Sequence, residues 1–222
     1  MMKDVKKEWT NYYRSLGYSL LQSAPLIHPL FPMSFNMSAG LVQLDPLIRG
    51  KKKIDLLKQC VIQKCFRYFD LDKIGDDTHL SFFEMAGAFE IGKFEDKETI
   101  ERLYFFLTNI LGINPEKLFI TSFDQDQIAN KKIVLDSHLK DFLTSLVGER
   151  VIYGSEESNF WKQGGGAVFM DNMRLCGPSI EFFYDLGKKD CTNNKCNPFC
   201  SCGRFIEISN TLLIKGTVKL IV

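Results

Sequence analysis

Residues Cys65 to Gly92 read CFRYFDLDKIGDDTHLSFFEMAGAFEIG: an apolar run carrying one arginine, a turn rich in aspartate, and a second apolar run carrying one glutamate. Two such runs around an Asp- and Gly-bearing turn spell a β-hairpin. The first arm, Cys60 to Phe69, is rich in Cys, Val, Ile and Phe, and Arg67 falls where the strand gives way to the turn. Charges at strand ends usually face a ligand or water. The second arm, Leu80 to Ile91, fills both faces with Phe82, Phe83, Met85 and Phe89 around Glu84, the pattern of a central strand covered on both sides. The turn is too short for a crossover, so the arms are antiparallel. With the helical segments found elsewhere in the chain, this predicts an α+β fold, an antiparallel sheet flanked by helices.

The hairpin also carries chemistry. Arginine is a planar fork that meets phosphate oxygens in two places, which is what the α-phosphate of a nucleoside triphosphate requires. Arg67 has that fork. An adenine ring needs an aromatic face and an acceptor for its amino group, and Phe83 and Glu84 offer one of each. An arginine at a strand end and a glutamate in a strand are also the makings of a structural ion pair, and periodicity does not separate the two readings.

Cys65-Phe66-Arg67, Asp70-Leu71-Asp72 with Gly75, and Phe82-Phe83-Glu84-Met85 with Gly87, Phe89 and Gly92 resemble the second signature motif of the alanyl-tRNA synthetases, a class II aminoacyl-tRNA synthetase family. Upstream, Ser38-Ala39-Gly40-Leu41 is similar to the family's Ala-Gly-Met segment. Downstream, Asn159-Phe160-Trp161, then Cys176-Gly177-Pro178 with Glu181 and Tyr184-Asp185, then Arg204 to Asn210 follow in the family's order. The resemblance covers nearly the whole chain. It implies the class II synthetase fold, ATP with magnesium, and a small amino acid, alanine, activated as an aminoacyl-adenylate and passed to tRNA. On that resemblance Arg67 holds the α-phosphate, Phe83 stacks on adenine beside Glu84, and His79 approaches the phosphates. Trp161 and Asn210 frame the amino acid, with Glu181 behind them.

At 222 residues the chain is long enough for one sizeable domain, and 45% hydrophobic against 25% charged residues is ordinary globular composition. One catalytic domain over residues 1–222 is expected. A net charge of +1 supplies no global field for nucleic acid, so any tRNA contact has to be local. The basic cluster Arg49 to Lys53 reads as a solvated loop or a small RNA patch. No apolar run has spanning length and no signal peptide stands at Met1, so the seven cysteines point to a reducing cytoplasm.

Val5, Trp9, Tyr12, Tyr13 and Leu16 recur at helical spacing from Asp4 to a stop at Gly17. Pro25, Pro29 and Pro32 make the next segment an irregular arm leading to Phe35. Ala39-Gly40 lets another group approach the backbone closely. Ile100, Leu103, Tyr104, Leu107 and Leu111 mark a helix from about Lys97 to Gly112, and Leu118 to Phe123 a short strand. Asp124 and Gln127 then resemble a capping box that opens a helix through Ile128, Leu135, Leu139, Phe142 and Leu146 to Gly148. From Val151 an irregular stretch is expected, with Gly164-Gly165-Gly166 as a loop able to cradle an anion or simply to link. Arg204 to Val222 reads as two strands joined at Lys215-Gly216.

Cys191, Cys196, Cys200 and Cys202 fall in one polar loop, CTNNKCNPFCSC. Four thiols within reach of one another suffice for a tetrahedral zinc site, though the gaps are irregular, and free thiols are the alternative.

The departures from the family pattern bear on function. Its Gly-Gly-Lys-His-Asn before Asp-Leu-Asp is absent, its Arg-His-His stands as Thr78-His79-Leu80, and its Trp in Glu-Ile-Trp-Asn stands as Ser209. The third signature motif, Asp-Thr-Gly-Met-Gly-Leu-Glu-Arg, and the helical tRNA-binding and editing regions do not occur in these residues. A pseudo-synthetase that keeps the fold but activates nothing, or a paralogue that charges a carrier protein or small molecule, therefore stands beside the tRNA ligase.

Overall fold

The computed structural model describes residues 3–27, 37–49, 54–76, 78–164, 173–187, 191, 195–214 and 216–219. They divide into two compact units: residues up to Glu95 together with Asn109–Leu111, and the remainder. Pro29, Pro32, Phe35, Gly50 to Lys53, Gly165, Gly166, Lys215 and Leu220 to Val222 lie outside the described residues.

The first unit contains α1 (Val5–Ser15), β1 (Ser19–Leu20), α2 (Asp45–Arg49), β2 (Leu56–Phe66) and β3 (Phe82–Gly92). Asp4 caps α1 by accepting from the Lys6 and Lys7 amides, and Trp9 and Tyr13 form its buried stripe. Gly17, at φ +85, turns the chain into β1, which lies parallel to β2. β2 and β3 are antiparallel in unbroken register from Leu56 opposite Gly92 to Phe66 opposite Phe82. Among the described residues the strand order is β1-β2-β3, so the central strand is β2. The expectation that the second arm is central is corrected here. Phe82 of β3 is 54% exposed, as a side chain at a sheet margin can be.

Alternation gives this sheet two dissimilar faces. Lys6 of α1 reaches Glu84 at 2.8 Å, and Tyr18 lies under the Lys58 ammonium, so α1 covers the face bearing Lys58, Glu84 and Glu90. The turn Gly40–Leu44 lies against the opposite face. A Cβ on Gly40 would stand 3.1 Å from the Phe89 ring and 3.4 Å from Val61, which is the close approach expected at Ala39-Gly40. Gln63, fully buried on that face, accepts from the Ala24 amide and from Gln43 Nε2 and donates to the Ala24 and Lys64 carbonyls. These bonds pair both the oxygen and the nitrogen of the Gln63 carboxamide, the condition for carrying a polar side chain inside.

The second unit contains α3 (Asp96–Phe105), β4 (Leu118–Phe123), β5 (Gln125–Ile128), β6 (Lys131–Val134), α4 (Ser137–Val147), β7 (Val151–Gly154), α5 (Glu156–Asn159), β8 (Phe160–Lys162), β9 (Met173–Asp185), β10 (Phe205–Leu212) and β11 (Gly216–Lys219). Its main sheet runs β10-β9-β4-β7, with β8 and β11 also pairing with β9. Every pair is antiparallel except β4–β7, whose strands are joined by the α4 crossover. Leu118, Ile120, Ile180 and Phe182 on one face of this sheet, Leu139, Leu143 and Val147 of α4, and Ile100 and Leu103 of α3 are buried. Tyr104 of α3 lies beside the Phe182 ring and donates its hydroxyl to the Leu146 carbonyl at 3.2 Å, which joins these layers into one core.

Two sequence expectations fail in this unit. Residues 125–134 are not the start of a helix but the hairpin β5–β6, because Ala129 and Asn130 both take positive φ, 48° and 65°, as a two-residue hairpin turn requires. The helix cap is Asp136, which accepts from the Leu139 amide, while Asp124 is ion-paired with Lys140. Val151 onward is regular: β7, α5 and β8 follow in close succession. Their brevity hid them, since three or four residues show no readable period. No described helix is long and apolar enough to cross a membrane.

Candidate functional site

In the first unit, Arg67 and Phe83 share a face. Cys65 is paired with Phe83 across the hairpin, so Arg67, two residues beyond Cys65, emerges on the side to which Phe83 points. The guanidinium carbon lies 5.0 Å from the centroid of the Phe83 ring, in cation–π range. Arg67 Nε donates to the Ser38 carbonyl at 3.1 Å, and the Arg67 amide donates to the Ser81 carbonyl at 2.8 Å. Backbone and side chain are therefore both tethered. The Ser38-Ala39-Gly40 segment thus contributes a carbonyl that orients the arginine, a role the sequence reading did not assign to it.

Glu84 is not beside Phe83. Adjacent residues in a strand point to opposite faces, and Glu84 pairs with Lys6 under α1. Its expected role in reading the adenine amino group is corrected by that geometry. His79 sits in the hairpin loop, with Nδ1 2.5 Å from Asp76 Oδ2. The Thr78 and His79 amides donate to Asp76 Oδ1, and these bonds, the Thr78 amide first, hold the Asp76 carboxyl well below the usual carboxylate range. His79 is thereby engaged through its amide and Nδ1 in closing this turn.

In the second unit, Thr121, Glu181 and Asn210 stand in one row across β4, β9 and β10. Thr121 Oγ1 donates to Glu181 Oε2 at 3.1 Å, and Ser179 Oγ donates to Oε1 at 3.0 Å. Asn159 Nδ2 donates to Thr121 Oγ1 at 2.8 Å. Burial pushes the Glu181 carboxyl up, against the bonds from Ser179, Thr121 and Asn159 that favour its ionised form. A carboxylate already supplied with donors and short of water is suited to receive a cation such as an amino-acid ammonium.

Asn159 itself is fully buried, and its Oδ1 has no hydrogen-bond partner among the described residues. The Ser155–Ser158 capping box winds the short α5 that delivers it. Gly154 makes room: a Cβ there would stand 2.4 Å from Asn159 Oδ1 and 2.9 Å from the Phe199 ring. Asn210 Nδ2 donates to Glu207 Oε1 at 3.0 Å on an exposed stretch of β10. Trp161, half-buried on β8, lies opposite Gly177, four residues from Glu181 and so about 13 Å along β9. Glu181 and Asn210 are thus brought together, while Trp161 stands at the far end of the same face. Thr121, Asn159 and Ser179 were missed as site residues. The signal was present: Thr121 interrupts an apolar strand, and Ser179 and Glu181 place polar groups two apart on one side of β9.

Cys191, Cys196, Cys200 and Cys202 bring their sulfurs within 4.8 Å of one another. The Cys191–Cys200 and Cys196–Cys202 sulfur pairs are each 3.6 Å apart, and all four thiols are free. At the root of this loop, Arg204 grips Asp185 with Nε at 2.8 Å and Nη2 at 2.6 Å.

The first unit thus presents an arginine-bearing antiparallel hairpin, and the second a polar row across three strands of its own sheet. The chain matches the family of class II (A) tRNA synthetases over residues 4–219 and belongs to it. Among curated proteins it is similar to the alanine–tRNA ligase of Carboxydothermus hydrogenoformans, 32% identical over 220 residues, with 97% of this chain and 23% of the relative covered. The alanine–tRNA ligase of Elusimicrobium minutum is 34% identical over 210 residues, covering 94% and 23%, and that of Borrelia hermsii 30% over 218 residues, covering 96% and 35%. The chain thus spans about a quarter to a third of the length of these relatives.

Proposed function

We propose that this chain is the adenylate-forming part of an alanine–tRNA ligase-type enzyme, its two units belonging to one catalytic domain that works with the family's third motif. A carboxylate oxygen of the amino acid attacks the α-phosphorus of ATP and pyrophosphate leaves; a terminal ribose hydroxyl of tRNA then attacks the adenylate carbonyl and AMP leaves. Neither step needs a nucleophile from the protein. Both need positioning and charge neutralisation, to which ATP-bound magnesium contributes.

On this reading Arg67 neutralises the α-phosphate, Phe83 offers its ring to adenine, and Glu181 receives the ammonium of a small amino acid beside Asn210, with Trp161 walling the far end of the same face. The observation that carries it is the Arg67–Phe83 contact with Nε committed to Ser38, because it presents a fixed cation beside an aromatic face. The four cysteines have no part in these steps.

Alanine-dependent exchange of pyrophosphate into ATP tests the activation step. The expected result is exchange with alanine, weaker exchange with glycine or serine, and loss in Arg67→Ala. No exchange with any small amino acid, in a protein that includes the third motif, overturns the activating reading in favour of a pseudo-synthetase. Transfer of labelled alanine to tRNA is the second stage. Transfer only to a carrier protein or small molecule, which the short hairpin turn Arg67–Ser81 permits, replaces the tRNA acceptor and leaves activation standing.

A further inference from the structure

The segment that joins β9 to β10 leaves the sheet at Leu186 and re-enters at Arg204, where the Leu186 amide donates to the Arg204 carbonyl at 2.9 Å and Asp185 is paired with Arg204. Its sequence is dominated by Cys, Lys and Asn, so it has little apolar surface to bury. Yet four sulfurs converge in it, and its local turns are tight: the Phe199 amide donates to Asn197 Oδ1 and the Cys200 amide to the Asn197 carbonyl, both at 2.9 Å. Four free thiols in mutual contact gain little from one another, since a thiol is a weak donor and a weak acceptor.

The spacing identifies the guest. Tetrahedral zinc with bonds of about 2.3 Å to sulfur sets its ligands about 3.8 Å apart. The sulfurs here are 3.6 Å apart in two pairs, with none further than 4.8 Å from another. That is too close to enclose a multi-iron cluster and too far for a disulfide, whose sulfurs are about 2.05 Å apart. A soft, all-sulfur, four-coordinate set without a vacant position is a structural zinc site.

We infer that Cys191, Cys196, Cys200 and Cys202 bind one zinc ion, and that this ion pins the β9–β10 connection so that Phe199 is held against Gly154 of β7. The contact has a specific address. A Cβ on Gly154 would meet the Phe199 ring at 2.9 Å and Asn159 Oδ1 at 2.4 Å, and Asn159 is the donor to Thr121 in the Glu181 network. The metal loop thus backs the side of β7 against which Asn159 is packed. This part of the inference rests on the ammonium-binding role given to Glu181; zinc binding itself does not.

The experiment uses the full chain purified in thiol reductant without added metal. Elemental analysis is expected to give about one zinc per chain. Replacement by cobalt(II) is expected to produce the intense visible bands and sulfur-to-metal charge transfer of a tetrahedral tetrathiolate. The Cys196→Ser/Cys202→Ser double variant is expected to lose the metal, and zinc removal from the wild type to speed amide exchange around Gly154 and Asn159. Should the double variant fail to fold, alkylation of the wild type decides: zinc shields these four thiols, and a chelator exposes them.

A folded wild type that holds no zinc and takes up no cobalt overturns the site, as does a double variant that keeps a full equivalent. Zinc bound with unchanged exchange at Gly154 overturns the buttressing role. None of these readouts needs ATP or alanine, so failure of the synthetase reading is separately visible.

Discussion

Asn159 Nδ2 donates to Thr121 Oγ1 at 2.8 Å, and this bond decides where the Thr121 hydroxyl sends its own proton, namely to Glu181. With one lone pair of Thr121 occupied by Asn159, the hydroxyl hydrogen turns to the carboxylate. Asn159→Ala removes the donor, opens space beside Gly154 and frees the hydroxyl to rotate. The expected cost is about 1–3 kcal/mol of stability, with a rise in KM for alanine that exceeds any fall in kcat for exchange. Urea unfolding and steady-state exchange kinetics check both, and an unchanged KM counts against the network's part in amino-acid binding.

Arg67 is asked for two things that lysine cannot supply together, a planar stack on Phe83 and an Nε bond to Ser38. Arg67→Lys keeps the charge and loses both. We expect exchange activity to fall about 10²-fold or more while the urea midpoint shifts little, since the group is partly exposed. Phe83→Leu keeps an apolar side chain but no aromatic face, and is expected to raise KM for ATP more than KM for alanine.

Glu181 makes a prediction about pH. Its folded carboxyl is raised by burial, so the unfolded chain releases this proton at lower pH than the folded chain does. Between the ordinary carboxylate value and the raised one, Glu181 therefore withdraws stability as pH rises; above the raised value the loss is constant, and below the ordinary value it is absent. Glu181→Gln abolishes that slope. Unfolding free energies of wild type and variant, compared through the weakly acidic range, are expected to diverge with increasing pH, the wild type declining more steeply. Parallel curves refute the burial argument.

Among the glycines described, Gly177 has the shortest approach to an added Cβ. The backbone after β10 passes directly over it, and a Cβ would stand 1.9 Å from the Leu213 carbonyl oxygen and 2.7 Å from its carbon. Neither atom can swing away as a side chain tip can. Gly177→Ala is expected to cost about 4 kcal/mol or more or to prevent folding, measured as soluble yield and thermal midpoint. A midpoint within a few degrees of wild type contradicts the packing described.

The hairpin Cys65 to Gly92 was legible because two apolar arms around a short polar turn admit only one connection. The placement of Arg67 and Phe83 on one side also follows from alternation, given the register. Glu84 is not legible as a partner of Phe83, because a pleated strand turns sequence neighbours to opposite faces. The β5–β6 hairpin is hard to read because its two-residue turn is Ala129-Asn130, with Ala at the first position and no glycine after the asparagine to announce positive φ. Thr121 and Asn159 belong to β4 and α5, so nothing local joins them; only the folded sheet does. The cysteines are legible as a cluster, whereas the convergence of their sulfurs within 4.8 Å is invisible in their unequal spacing along the chain.

β9 bonds with β10 and β4 along its second half and with β11 and β8 along its first. No amide in its middle can open without unzipping a neighbour on either flank. Deuterium should therefore enter residues 175–183 last, at a rate set by whole-unit unfolding, while β5 and β6, paired only with each other, fill early. A strand so shared acts as a common ledge: whatever loosens one of its four partners is felt by the other three.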